Sequence, residues 1–198
     1  MFIIKDHGVN NHINIPDSVL AKSEGSLNIH ASNCSVVIGK ETKLRGLSLV
    51  LHGEGGGIQI GKGCVLGGRV VVKSEGCDLS IGSKTTWMNV FISFHEQGQI
   101  NIGEDCMFSG DIRMDVSDMH SIIDIKSGNR INPAKNIHIG SHVWVGQGVF
   151  ITKGVGIGDN VIIGAKSVVS KNIPSESLAV GVPAKVIRKG VTWDRRRL

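Results

Sequence analysis

From Ile139 onward every sixth residue is a branched aliphatic: Ile139, Val145, Ile151, Ile157, Ile163 and Val169. Glycine follows the aliphatic at Gly140, Gly146, Gly158 and Gly164, and a small or β-branched residue stands four places on, at Val143, Val149, Val155, Val161 and Ser167. A period of six is neither the 3.6 of a helix nor the 2 of a simple strand. It suits a chain that makes a short strand, turns a corner and repeats. Three such sides close a triangular coil of 18 residues, and successive coils stack as parallel strands about 4.8 Å apart. Upstream the Ile-Gly pair recurs at Ile38-Gly39, Ile60-Gly61, Ile81-Gly82 and Ile102-Gly103. Those pairs are 22, 21 and 21 residues apart, so each early coil carries a small surplus, expected as a bulge at one corner, as at Gly53–Gly57 and Lys73–Gly76.

Composition agrees with this architecture. The chain has 27 glycines in 198 residues and only eight aromatics, with no tyrosine, while 40% of residues are hydrophobic. So much glycine disfavours a helical bundle, and a core poor in aromatics is filled with Val and Ile. No apolar run of about 18 residues is present, which argues against a membrane-spanning helix. The opening Met-Phe-Ile-Ile-Lys lacks the features of a secretory leader. Cys34, Cys64, Cys77 and Cys106 have neither zinc-type spacing nor the density of a disulfide framework. A reducing cytoplasm is the expected setting. The net charge of +5 includes Arg195-Arg196-Arg197 near the end. It fits a phosphorylated cosubstrate or an acidic polymer, and it lacks the interleaved aromatics that stack on nucleic-acid bases. The plainer expectation for the triplet is a solvated tail.

The rhythm breaks between about Met114 and Ile137, leaving one out-of-phase excursion near 115–136. It holds His120, one of eight histidines, flanked by Asp118 and Asp124. Imidazole titrates near neutrality and is suited to general-base work, and a neighbouring carboxylate can orient it and stabilise its protonated form.

The stretch Ile139–Arg188 contains Ile-Gly-Ser-His-Val-Trp-Val-Gly, then Ile-Gly-Asp-Asn-Val-Ile-Ile-Gly-Ala-Lys, then Gly-Val-Pro-Ala-Lys-Val-Ile-Arg. It resembles the C-terminal half of hexapeptide-repeat acetyltransferases. Cys106-Met107-Phe108-Ser109, followed by Ser117-Asp118-Met119-His120-Ser121-Ile122, resembles the branch acting on bacterial capsule, lipopolysaccharide and sialic acid polymers. The resemblance covers roughly residues 30–198 and implies an all-β, left-handed parallel β-helix over about 30–182 with a short cap at 183–198, all within a single domain spanning 1–198. The general rule for parallel crossovers opposes that hand.

The resemblance further implies acetyl-CoA as cosubstrate, no required metal, a bacterial cytoplasmic location, and a homotrimer with sites between subunits. His120 is the matching general base, with Asp118 beside it. Trp144 would border both the acetyl-pantetheine arm and the acceptor. Gly146, Gln147 and Gly164 would line the pantetheine, Ala165, Ser170 and Lys171 the adenosine, and Lys185 and Arg188 the phosphates. Asn89 would face the acceptor. The acceptor is expected to be a sugar hydroxyl of a surface polysaccharide or its precursor. A small sugar, an amino sugar or an antibiotic remains open as the alternative. Two rivals are weighed beside it. One is a zinc carbonic anhydrase-like enzyme using His120, His138 and His142; the other is a non-catalytic solenoid.

Overall fold

A computed structural model describes residues 1–198. It is a left-handed β-solenoid of about eight turns, built almost wholly from strands, with one helical turn at Asp17–Leu20. Each coil has three sides. The side that ends at the Ile-Gly pairs forms a seven-stranded parallel sheet from His12–Asn14 through Ser35–Ile38, Gly57–Ile60, Asp78–Ile81, Gln99–Ile102 and Ile137–Ile139 to Gly156–Ile157; it is called the third face here. The first face follows the pair, with Thr86–Trp87, Met107–Phe108, Trp144–Val145 and Ile162–Ile163 stacked in register. The second face continues from it, through Val90–Phe94, Ile112–Asp115, Phe150–Ile151 and Val168–Val169. First and second faces merge into one fourteen-stranded sheet, because Lys43–Leu51 and Val65–Val72 run unbroken around the corner between them.

The corner after each Ile-Gly pair is made by the residue two places beyond the glycine. Glu41, Gly63, Lys84, Asp105, His142, Asn160 and, in the last coil, Glu176 all have φ between 52° and 67°. The glycine of the pair answers a different need. A Cβ on Gly103 would stand 2.6 Å from the backbone of Gly140 in the next coil. No side chain fits there, so the stacking of coils dictates the glycine and the turn itself uses its neighbour.

Inside, Ile38, Ile60, Ile81, Ile102, Ile139 and Ile157 form one vertical stack, all buried. Burial of one such side chain contributes roughly 2 kcal/mol. The modest slot four places after each Ile is also buried, and its polar members are satisfied along the axis. Thr85 donates its hydroxyl to Gly103 O and accepts from Cys106 N–H; Thr42 does the same with Gly61 and Cys64. All four cysteines are free and buried, and burial raises the Cys106 thiol to about 11. They pack as small apolar groups.

The solenoid starts earlier than the repeat is visible. Phe2–Asp6 pairs in parallel with Glu24–Ile29, and His12–Asn14 with Ser35–Ile38. The surplus of the early coils lies in longer second-face strands and the corner after them. Val90–Phe94 has five residues where Phe150–Ile151 has two. The extra residue of the 22-residue coil sits elsewhere, as a bulge at Arg45–Gly46 where the register slips against Val65–Val72. At the far end, Lys185–Lys189 turns back antiparallel on Ser177–Val180 and closes the exposed sheet edge.

Candidate active site

The excursion at 115–136 leaves the second face after the Ile112–Asp115 strand and returns at Ile137–Ile139. It has almost no ladder of its own, only an antiparallel bridge between Ile123 and Arg130. Side chains hold it instead. Arg130 donates two hydrogen bonds to the Glu96 carboxylate, at 2.6 and 2.7 Å, and Ser117 donates a further one. Those bonds, Arg130's first, hold Glu96 down at a pKa of about 2, against 4.5 ordinarily. The centre of the loop is Asn132, itself buried. Its amide donates to His120 O and to Asp118 Oδ2, both at 2.8 Å, and accepts from Ile122 N–H at 2.6 Å.

His120 is thus fixed through its backbone. Met119, at φ 64°, makes the turn immediately before it, and His120 N–H donates to Asp118 O. The ring is exposed and has no hydrogen-bond partner in the chain. The expected contact with Asp118 is not formed. That carboxylate takes an ion pair from Lys153 at 2.6 Å and the Asn132 bond, which together hold it below the usual carboxylate range. Asp124 is spent on its own turn, accepting from Ser127 N–H and Oγ. Asp118 therefore acts on the backbone around His120, one step from the imidazole. Sequence reasoning missed Asn132, Arg130, Glu96 and Lys153. Polar residues in a polar loop carry no spacing signal, and only Asn132's burial sets it apart.

Trp144 lies on the first face, 41% exposed. With Val65, Thr86, Trp87, Met107 and Ser109 it lines a cavity of about 510 Å³. Asp118 and Met119 line a different one of about 560 Å³, on the second face. One chain therefore does not bring His120 and Trp144 into a common pocket. Asn89 and Gln147 do meet, each reaching the Asp111 carboxylate, at 3.4 and 3.3 Å. Gly146 packs on Ala165 and Gly164 on Val180, without room for a Cβ. Ser170 and Lys171 follow the last second-face strand, and Lys185 and Arg188 lie on the returning strand. Lys171, Lys185 and Arg188 are exposed and form no ion pair.

The histidines weighed as zinc ligands do not gather. His142 is a corner residue with both ring nitrogens engaged, by Asp105 at 2.8 Å and by Trp193 O at 2.9 Å. Trp193 stacks on its ring and donates to His142 O. Arg195 then donates to Asp105, Thr86 Oγ1 and Cys106 O. The expected solvated basic tail is therefore a strap at Arg195, clamped across three coils and bordering the Trp144 cavity, with Trp193 and Trp144 6.2 Å apart.

A left-handed triangular solenoid with one polar loop thrust out near its middle matches the architecture of hexapeptide-repeat acetyltransferases. Two relatives place the chain more closely. It is 35% identical over 136 residues to a polysialic acid O-acetyltransferase of Neisseria meningitidis, the match covering 69% of this chain and 63% of the relative. It is 39% identical over 125 residues to a polysialic acid O-acetyltransferase of Escherichia coli O1:K1, covering 63% and 41%. The matched regions thus span less than two thirds of either relative's length. Among solved structures, the polysialic acid O-acetyltransferase OatWY superposes with a TM-score of 0.87 at 32% identity, over 100% of this chain and 93% of that one. The polySia-specific acetyltransferase NeuO gives 0.89 at 32%, over 98% and 89%. No family model matches the sequence. The chain belongs to the hexapeptide-repeat acetyltransferase family and groups there with the polysialic acid O-acetyltransferases.

Proposed function

We propose that the protein transfers acetyl from acetyl-CoA to a hydroxyl of an acidic bacterial polysaccharide of the polysialic acid type, with His120 as general base. The observation that carries this reading is an imidazole held by its backbone alone, its ring free, in a chain whose relatives are named for this transfer. The acceptor hydroxyl gives its proton to His120, and its oxygen attacks the thioester carbonyl in a ternary complex. The tetrahedral intermediate collapses, the C–S bond breaks, and the CoA thiolate takes the proton back from the imidazolium. Trp144 supplies a flat apolar wall beside the thioester. Gly146, Gln147 and Gly164 line the pantetheine, and Ala165, Ser170 and Lys171 the adenosine. Lys185 and Arg188 meet the phosphates as unpaired cations. Asn89, joined to Gln147 through Asp111, faces the acceptor.

Because His120 and Trp144 sit on different faces, the reading requires His120 of one subunit to meet Trp144 of another. Ile122, Ile123, Ile125 and Ile131 of the loop, all half or more exposed, supply apolar surface for such a neighbour. A trimer of parallel solenoids would place three such sites. The reading takes 1–198 as one domain and sets it in the bacterial cytoplasm, where acetyl-CoA is made; no helix is long and apolar enough to cross a membrane.

The experiment is acetyl-CoA consumption against polysialic acid, other capsular and lipopolysaccharide polymers, free sialic acid, simple sugars and amino sugars. Turnover with an acidic polymer is expected. Turnover confined to an amino sugar or neutral small sugar would overturn the acceptor assignment.

A further inference from the structure

The cavity beside Trp144 does not end on the first face. It shares Arg45 with a second depression of about 410 Å³, lined by Lys22, Glu24, Lys43 and Gly46. Together they form a groove running along the solenoid axis from the Trp144 coil towards the N-terminal coils. Trp144, Met107, Thr86, Val65 and Lys43 occupy successive in-register positions on the way. Four strand spacings of about 4.8 Å make that track roughly 19 Å long, the length of an extended chain of several sugars.

The residue that points to a ligand there is Arg45. The bulge at Arg45–Gly46 interrupts the ladder towards both neighbouring strands, and Gly46 has φ 70°. Bulges of this kind re-aim a side chain. The Arg45 guanidinium is exposed, lines both depressions and makes no ion pair or hydrogen bond. Lys22 and Lys43 are likewise unpaired, and Glu24 is the single acidic group lining the groove.

We propose that this groove is the acceptor track: Arg45 seats a sugar carboxylate, and Lys43 and Lys22 follow the chain towards the N-terminal coils. An apolar floor at Trp144, Met107 and Met88 takes the sugar faces, and cations beyond it take the acid groups, which favours an acidic polymer over a neutral one. This inference rests on the acetyltransferase reading and adds the residues that read the acceptor.

The test is steady-state kinetics of R45E, R45K and K22Q/K43Q with polysialic acid of long and short chain length. R45E is expected to raise the polymer KM more than about tenfold with the acetyl-CoA KM unchanged, since a charge-assisted contact is lost and reversed, and R45K to recover most of it. K22Q/K43Q is expected to weaken long chains and leave short oligomers unaffected. An unchanged polymer KM in R45E overturns the proposal. So does a rise in the acetyl-CoA KM instead, which would give the groove to the donor. If the wild-type protein transfers acetyl to no acidic polymer, the proposed function fails first, and that result is separate from any variant.

Discussion

The regular coils after Ile137 and the excursion at 115–136 are held by opposite means. In the coils, backbone meets backbone at every rung, as where Gly140 N–H reaches Ile157 O, and side chains have only to be the right size. In the excursion the ladder is nearly gone, and Asn132, Arg130, Glu96, Asp118 and Lys153 do by side chain what backbone does elsewhere. A repeat can therefore carry a rigid scaffold on very little sequence information, while an irregular loop needs specific polar residues to present one imidazole. The cost falls in different places: the coil tolerates changes to outward side chains but no Cβ at its stacking glycines, and the loop is the reverse.

That contrast can be broken at several points. The largest effect is expected from His120→Ala, which should lower kcat about 10³-fold, near 4 kcal/mol, with acetyl-CoA binding retained; unchanged turnover with an acidic polymer removes His120 from the mechanism. Gly103→Val puts a branched side chain against the Gly140 backbone and should cost about 2–3 kcal/mol, lowering Tm by several degrees. A neutral result would mean the coils are not packed on their glycines. Asn132→Ala should lower kcat about tenfold, roughly 1.4 kcal/mol, by freeing the His120 backbone while Tm and the acetyl-CoA KM stay near wild type. A fall in Tm without the kcat effect would make Asn132 merely structural.

The smallest effect is in acid. Glu96 has its folded pKa depressed from 4.5 to about 2, so its contribution is complete above about 4.5 and is lost as the pH falls from there towards 2. Thermal unfolding followed from pH 6 to pH 3 should show the wild type losing stability in that window and Glu96→Gln losing less. Parallel curves would show that the Arg130 clamp does not hold the loop.

Much of this was written in the residues. The Ile-Gly rhythm marks the third-face strands and the corner after them, and the one long break in it marks the loop with His120. Other features were not readable. Phe2–Asp6 carries no Ile-Gly pair, yet it pairs as a first rung, because an exposed coil edge offers unmet backbone groups to whatever strand precedes it. Asp118 stands two places from His120 in the chain, and the positive φ at Met119 between them sends the carboxylate to Lys153 instead. Arg195 reads as part of a solvated triplet, and stacking of Trp193 on His142 draws it onto Asp105.

The sequence by itself determined the solenoid, since periodicity and glycine spacing are local properties that each coil satisfies against its neighbour. Tertiary structure decided which groups are left without partners: the free ring of His120 and the unpaired Arg45. Whether a polar group is satisfied depends on atoms many residues away, and no local pattern records that distance.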